Sequence, residues 1–79
     1  MISNISKKIA LITGAATGIG LAVSKGLANE GYAVILAGRK FKKLRDAAEV
    51  IGEYAYPLKM DVSDPKSVFE GFDWIEKKI

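Results

Sequence analysis

The stretch that decides the fold is Thr13-Gly14-Ala15-Ala16-Thr17-Gly18-Ile19-Gly20. An apolar run, Ile9–Ile12, precedes it, and an amphipathic run, Ile19–Leu27, follows it. This order predicts a strand, a tight turn and the beginning of a helix. The N-terminus of a helix offers free N–H groups and the positive end of a dipole, and both favour an anion. The stretch therefore predicts the pyrophosphate-binding turn of a dinucleotide fold.

Each glycine of this turn is expected to have its own steric role. Gly14 would turn the chain sharply at the strand end, where a Cβ would clash; Gly18 would leave the backbone bare for a phosphate; Gly20 would let the helix lie close against the sheet. Backbone N–H groups or close approach are expected from the four residues Ala16, Thr17, Gly18 and Ile19, with a further hydroxyl contact from Thr17. The alternative is a glycine turn that only joins a strand to a helix. The strand before the turn, the helix after it and the basic end of the second strand favour the nucleotide interpretation.

Composition argues against several other classes of function. The 79 residues are enough for one small domain, and 49% hydrophobic with 27% charged residues is ordinary for a globular protein. The net charge is only +3 and is spread along the chain, so neither a nucleic acid nor a membrane is an expected partner. The chain has no cysteine and no histidine, so we expect no metal site. Thr13 and Gly14 interrupt the one run that superficially resembles a signal peptide, and a cytoplasmic location is expected.

The apolar pattern predicts three strands that alternate with three helices. The strands are placed at Lys8–Thr13, Tyr32–Ala37 and Tyr54–Met60, and the first two are apolar almost throughout, as in parallel strands covered on both faces. Pro57 cannot donate a hydrogen bond to a neighbouring strand, so the third strand is assigned to the edge of the sheet. The resulting order, βαβαβα, predicts an α/β fold, one half of a doubly wound parallel sheet.

Apolar spacing also assigns an inward face to each helix. The first helix is expected to bury Ile19, Ala22, Val23, Gly26 and Leu27. The second, from Phe41 to Ile51, is expected to bury Phe41, Leu44, Ala48 and Ile51 and to turn Lys42, Lys43, Arg45 and Glu49 towards water. The third is expected to begin with Asp64 as its N-cap and Pro65 as its first residue, and to bury Val68, Phe69, Phe72, Ile75 and Ile79.

The sequence TGAATGIG, with glycines spaced G-x-x-x-G-x-G after a threonine, closely resembles the cofactor motif of the short-chain dehydrogenase/reductase family. The resemblance covers essentially all 79 residues but corresponds to the N-terminal part of the family. It implies that residues 1–79 are a partial Rossmann domain that stops before the fourth strand. It also implies hydride transfer between a nicotinamide cofactor and a carbonyl or alcohol, and homo-oligomeric full-length relatives.

The resemblance further implies which residues contact the cofactor. NAD-type members carry an acid for the adenosine ribose at the position of Gly38, and here Arg39 and Lys40 follow instead. A guanidinium binds a 2′-phosphate bidentately whereas a carboxylate repels it, so NADP is favoured over NAD. Asp61 and Val62 match the family's pair in which the aspartate contacts the adenine amino group and the aliphatic residue lines the adenine pocket. The alternatives are that Arg39 and Lys40 are solvated residues at the beginning of a basic helix and that Asp61 satisfies backbone groups in its turn.

No catalytic residue is assigned. The sequence contains neither the Tyr-x-x-x-Lys pair nor the Asn-Asn-Ala-Gly motif of the family. The chain is therefore interpreted as the cofactor-binding portion of an NADP-dependent oxidoreductase, inactive by itself. One alternative is a non-catalytic NADP-binding module that pairs with a partner chain. Another is a methyltransferase that uses S-adenosylmethionine, against which the missing acid after the second strand argues. The open edge of the first strand predicts that the isolated chain self-associates.

Overall fold

The computed structural model describes residues 8–15 and 18–78, and these form three strands and three helices in alternation. The strands are β1 (Ile9–Thr13), β2 (Ala33–Gly38) and β3 (Ala55–Lys59), and the helices are α1 (Gly18–Asn29), α2 (Phe41–Ile51) and α3 (Pro65–Lys78). The predicted order is confirmed, and every strand begins and ends within one residue of its predicted position.

The three strands form one parallel sheet in the order β1-β2-β3. Ile9 of β1 lies opposite Ala33 of β2, and Leu36 of β2 lies opposite Pro57 of β3. Since β2 is central, its residues 33–37 are fully buried. The placement of β3 at an edge, which Pro57 predicted, is confirmed.

The core lies on both faces of β2, because successive side chains of a strand point to opposite faces. Val34 and Leu36 pack with α1 and α2 on one face, and Ile35 and Ala37 pack with α3 on the other. Val34, Ile35 and Leu36 are completely buried, and each contributes about 1.5–3 kcal/mol of hydrophobic stabilisation. This three-layer arrangement fixes the carboxyl ends of the strands at one edge of the sheet.

Local signals determine where the helices begin and end. At the end of α1, Gly31 has a φ of 94°, the Gly31 N–H donates to the Ala28 carbonyl at 3.1 Å, and the Tyr32 N–H donates to the Leu27 carbonyl at 3.1 Å. This is a Schellman ending, which favours glycine. At the beginning of α3, the Lys66 N–H donates to the Asp64 carboxylate at 3.1 Å, so the predicted N-cap is confirmed.

The inward face predicted for α1 is wrong. Four of its five assigned residues are exposed, namely Ile19, Ala22, Val23 and Gly26, and only Leu27 is half-buried. The face towards the sheet contains Ser24, which is completely buried, together with the half-buried Leu21, Leu27 and Ala28. The Ser24 hydroxyl donates to the Gly20 carbonyl at 2.7 Å, so this polar side chain is satisfied without water.

The inward face predicted for α3 is half right. Val68 and Ile75 pack against the core as expected, but Phe69 is 77% exposed and Phe72 is 50% exposed. The buried residue of α3 is Gly71, where an added Cβ would overlap the end of the Met60 side chain, so a larger residue there would require that side chain to move. Ile79 lies outside the described residues.

The face predicted for α2 is nearly right. Leu44 and Ala48 are buried and Ile51 is half-buried, whereas Phe41, at the beginning of the helix, is 45% exposed. Ala47, which was not assigned to this face, is also buried. The four residues expected to face water, Lys42, Lys43, Arg45 and Glu49, are all exposed.

Candidate functional site

A cleft of about 600 Å³ opens where the three strands end. Its volume lies within the range of roughly 300–1,000 Å³ typical of small-molecule sites. In parallel α/β sheets, ligands bind at this carboxyl edge of the strands. The cleft is lined by Thr13, Gly14, Ala15, Ala37, Gly38, Arg39, Lys40, Lys43, Leu44, Met60, Asp61, Val62 and Ser63. Five of the residues assigned to cofactor binding from the sequence are therefore brought together here: Gly14, Arg39, Lys40, Asp61 and Val62.

The turn after β1 depends on glycine for its backbone angles. Gly14 has a φ of 63° and Gly18 a φ of 59°, a region that side-chain-bearing residues rarely adopt. No atom lies within 4 Å of a Cβ added at either position. The clash predicted at Gly14 is therefore not with a neighbouring element but with the local backbone, because a Cβ at this positive φ lies too close to the following carbonyl oxygen. The surface at Gly18 is open, as close approach of a phosphate requires. Ala16 and Thr17 lie outside the described residues.

Gly20 allows close packing of α1, as predicted. The contact is with the turn at Gly14 and Ala15, however, and not with the sheet. A Cβ at Gly20 would overlap the Gly14 carbonyl oxygen and would lie 3.0 Å from the Gly14 carbonyl carbon and 3.1 Å from the Ala15 Cα. The turn is also tied to the sheet, because the Gly14 N–H donates to the Ala37 carbonyl at 3.2 Å. Gly18, Ile19 and Gly20 form the first turn of α1, where helix geometry leaves amide groups without an intrahelical acceptor. Amide groups of this kind are available to an anion at the beginning of a helix.

Three cationic side chains line the cleft, and sequence reasoning assigned only two of them. Arg39 and Lys40 follow β2 as predicted, whereas Lys43 was expected only to face water. Lys43 is exposed, and it lies in the first turn of α2, which begins beside the cleft. The feature of the sequence that could have identified Lys43 as a cleft residue is its position three residues after Lys40, about one helical turn from the end of β2. Within the part of the chain that the structure describes, the one ion pair joins Lys77 to Asp73 at 3.0 Å, so none of these three cations is in direct contact with a carboxylate.

Gly38, the last residue of β2, lies beside these cations. A Cβ at Gly38 would lie 3.4 Å from Leu44 Cδ2, which is close but ordinary van der Waals contact. Its φ is not in the left-handed region, so neither packing nor backbone angle demands glycine there. Glycine at this position therefore places no carboxylate at the end of β2, beside Arg39 and Lys40.

Asp61 follows β3 and is held by two serines that sequence reasoning missed. Its Oδ1 accepts hydrogen bonds from the Ser63 hydroxyl at 2.7 Å and from the Ser63 backbone N–H at 3.0 Å. Its own backbone N–H donates to Ser67 Oγ at 2.8 Å. The two bonds from Ser63 are the main reason that the pKa of Asp61 lies below its ordinary value, and the Arg39 charge adds a smaller effect. Asp61 is therefore a carboxylate at neutral pH, and Val62 beside it is exposed at the cleft.

Two other functions find no support in residues 8–15 and 18–78. None of the helices there is long and apolar enough to cross a membrane. No group of three or more acidic side chains in the same residues is arranged to hold a metal ion.

Comparison with known proteins gives a consistent result. The family model for short chain dehydrogenases matches residues 8–79. The chain is 43% identical over 75 residues to a probable 2,4-dienoyl-CoA reductase 3 of Caenorhabditis elegans, covering 90% of this chain and 24% of that protein.

Two solved structures are also similar. L-sorbose reductase from Gluconobacter frateurii, complexed with NADPH and L-sorbose, has a TM-score of 0.85 and 32% identity, covering 94% of this chain and 30% of that one. The 3-ketoacyl-(acyl-carrier-protein) reductase from Brucella melitensis, complexed with NADH, has a TM-score of 0.79 and 32% identity, covering 84% of this chain and 27% of that one. The chain thus spans between 24% and 30% of the length of these three proteins.

Proposed function

The chain belongs to the short-chain dehydrogenase family, and we propose that it is the cofactor-binding portion of an NADP-dependent oxidoreductase. The reaction of the whole protein would be hydride transfer between NADP(H) and a carbonyl or alcohol. The observation that carries this proposal is the composition of the cleft: a glycine turn, three cations without carboxylate partners and one oriented carboxylate meet at the carboxyl edge of the sheet.

Each part of the cleft matches one part of the dinucleotide. The turn from Gly14 to Gly20 would bind the pyrophosphate, because its first helical amides lack intrahelical acceptors and its glycines leave the backbone bare. Arg39 and Lys40 would bind the 2′-phosphate. Asp61 would accept a hydrogen bond from the adenine amino group, and Val62 would cover the base. Ala16 and Thr17 would also contact the pyrophosphate, an assignment that rests on the sequence motif alone.

The preference for NADP over NAD rests on this chain's own residues, since its structural relatives include complexes with NADPH and with NADH. A 2′-phosphate brings close to two negative charges, which the three cleft cations favour. An acid at Gly38 would oppose that phosphate and would bind the ribose hydroxyls of NAD instead. A Cβ at Gly38 makes only ordinary van der Waals contact with Leu44, so this contact does not account for the missing acid, and its absence supports the NADP assignment.

In this proposal the described residues bind and orient a cofactor, and none of them is assigned to proton transfer. When bound, the nicotinamide ring supplies the hydride chemistry. No tyrosine of the sequence has a lysine four residues later, so we assign none of the family's catalytic residues to this chain. We therefore expect the 79-residue chain to bind NADPH without reducing a carbonyl.

A titration of the full chain with NADPH and with NADH, read by cofactor fluorescence, tests the proposal. We expect NADPH to bind more tightly, and Arg39→Gln to weaken NADPH about tenfold or more while leaving NADH unchanged, because only NADPH carries the phosphate. Arg45→Gln is the matched control, since Arg45 is exposed on α2 but does not line the cleft. Equal losses for both dinucleotides in Arg39→Gln, or tighter binding of NADH by the unmutated chain, would refute the NADP assignment.

We also propose that the isolated chain self-associates through β1. Among the described residues, β1 pairs with β2 on one side only, and Ile9 on it is 45% exposed. An open strand edge with apolar side chains favours pairing with another copy. Size-exclusion chromatography with light scattering should give a mass above the 8.5 kDa of one chain. A stable compact monomer would contradict this.

A further inference from the structure

The carboxylate of Asp61 is held in one orientation before any ligand binds. Both hydrogen bonds from Ser63 go to the same oxygen, Oδ1, from the hydroxyl at 2.7 Å and from the backbone N–H at 3.0 Å. No hydrogen bond to Oδ2 is found within residues 8–15 and 18–78, although Asp61 lines the cleft. Oδ2 is thus the oxygen left to accept a bond from a ligand.

The main chain of Asp61 is held as well, from a different element. The Asp61 N–H donates to Ser67 Oγ at 2.8 Å, and Ser67 lies in the first turn of α3. The segment 61–63 is therefore anchored to α3 by its backbone and braced internally by Ser63. An exposed aspartate without such bonds would turn about its side-chain torsions and would lose that freedom on binding, at a cost in affinity.

We infer that Ser63 is a positioning residue for base recognition: it turns Asp61 so that Oδ2 faces the exocyclic amino group of the adenine, and so makes the site selective for a 6-amino purine over a 6-oxo purine. This inference rests on the proposed adenine contact of Asp61. A carboxylate only accepts hydrogen bonds. It therefore pairs with the amino group of adenine and repels the carbonyl oxygen that hypoxanthine carries at the same position.

The test compares binding of NADPH with binding of its hypoxanthine analogue to the full chain. The unmutated chain should favour NADPH by roughly tenfold or more, the value of a hydrogen bond to a charged group. Ser63→Ala removes the hydroxyl bond but keeps the backbone bond, and should lower that preference about threefold to tenfold. Ser63→Thr keeps a hydroxyl and should restore it. The ratio of NADPH to NADH affinity should stay the same in both variants, which separates base recognition from general damage to the site.

Asp61→Asn provides a second and more specific test, because the side-chain amide has an oxygen that accepts hydrogen bonds and an NH₂ group that donates them. If Ser63 still donates both bonds to the side-chain oxygen, the NH₂ group takes the place of Oδ2 and donates to the ligand. The preference should then invert, with the hypoxanthine analogue binding more tightly than NADPH. Adding Ser63→Ala to Asp61→Asn should weaken the inversion, because the amide is then held by fewer bonds.

The possible outcomes distinguish the positioning role of Ser63 from the adenine contact of Asp61. A reduced preference in Ser63→Ala, restored in Ser63→Thr, together with the inversion in Asp61→Asn, supports the positioning role. An unchanged preference in Ser63→Ala, with a preference lost in Asp61→Asn, overturns the role of Ser63 and leaves the adenine contact intact. No preference between the two bases in the unmutated chain overturns the adenine contact of Asp61 and the inference with it. No binding of either dinucleotide overturns the proposed function itself, on which the inference rests.

Discussion

Replacing Gly20 with alanine should destabilise the turn after β1, although alanine is normally the better helix residue. A Cβ at Gly20 would overlap the Gly14 carbonyl oxygen and approach the Ala15 Cα to 3.1 Å. These are backbone atoms, which cannot move aside as the end of a flexible side chain can. Gly26 lies in the same helix, is exposed, and has no atom within 4 Å of its Cβ position. Gly26→Ala is therefore the matched control.

The expected magnitudes follow from two opposing effects. Glycine to alanine inside a helix stabilises by about 0.8–1.0 kcal/mol, and Gly26→Ala should gain roughly that amount. Overpacking against fixed neighbours costs about 1–3 kcal/mol. Gly20→Ala should therefore range from about no change to a loss of about 2 kcal/mol. Because the helix effect is common to both variants, the difference between their free energies of unfolding, about 1–3 kcal/mol, measures the overlap with the turn.

The assay is urea unfolding of the full chain followed by circular dichroism, with NADPH and NADH titrations alongside. Displacement of the turn should weaken both dinucleotides in Gly20→Ala, since both contain the pyrophosphate, whereas Gly26→Ala should leave both affinities unchanged. If the two variants changed stability by the same amount, the close packing of α1 against the turn would be wrong. If Gly20→Ala lost stability without losing affinity, the turn would not be the pyrophosphate site.

Three further predictions concern the charges of the cleft. Gly38→Asp should weaken NADPH and strengthen NADH in fluorescence titrations, because the new carboxylate repels the 2′-phosphate and accepts hydrogen bonds from the ribose; unchanged affinities would contradict this. Lys43→Gln should weaken NADPH about threefold to tenfold and leave NADH unchanged, whereas Lys42→Gln, on an exposed position outside the cleft, should change neither. Ser63→Ala should raise the pKa of Asp61 towards its ordinary value, which a carboxyl NMR titration would detect as a loss of charge at a higher pH, and so earlier on acidification. Since the folded-state pKa is the lowered one, the stability that this carboxylate contributes is present at neutral pH and is lost as the pH falls through that pKa.

The strands and their order followed from the sequence because their signals are local. A continuous apolar run marks a strand covered on both faces, and β2 is buried throughout as that pattern indicates. Pro57 lacks the N–H that a central strand needs, and β3 accordingly lies at an edge. Gly31 and Asp64 mark helix ends through their own backbone angle and side-chain oxygen. None of these signals depends on how one element packs against another.

The inward faces of α1 and α3 were harder to predict because they depend on distances between elements. Apolar spacing favours the stripe with the largest side chains, which selected Val23, Phe69 and Phe72. The buried positions are instead Ser24 and Gly71, two small residues, and an added Cβ at Gly71 would overlap the end of the Met60 side chain. Val23, Phe69 and Phe72 are exposed. A serine or glycine in an apolar helix can thus lie on its buried face. The sequence alone, however, does not show which of the small residues in the helix does so.

Two cleft residues, Lys43 and Ser63, were not predicted from the sequence, and the reason is again that their position depends on how distant elements come together. Lys43 and Ser63 resemble solvated surface residues in the sequence, and both are exposed. Their role comes from the parallel sheet, which brings the segments after β2 and β3 to one edge. Arg39 and Asp61 meet there without forming an ion pair, and the carboxylate is satisfied by Ser63 instead. A direct ion pair would have to be broken before either group could bind a ligand, whereas a neutral hydroxyl orients the carboxylate and leaves Arg39 its full charge. Under the proposed function, one short edge would then recognise two opposite chemical features, a phosphate through the cations and an amino group through the carboxylate.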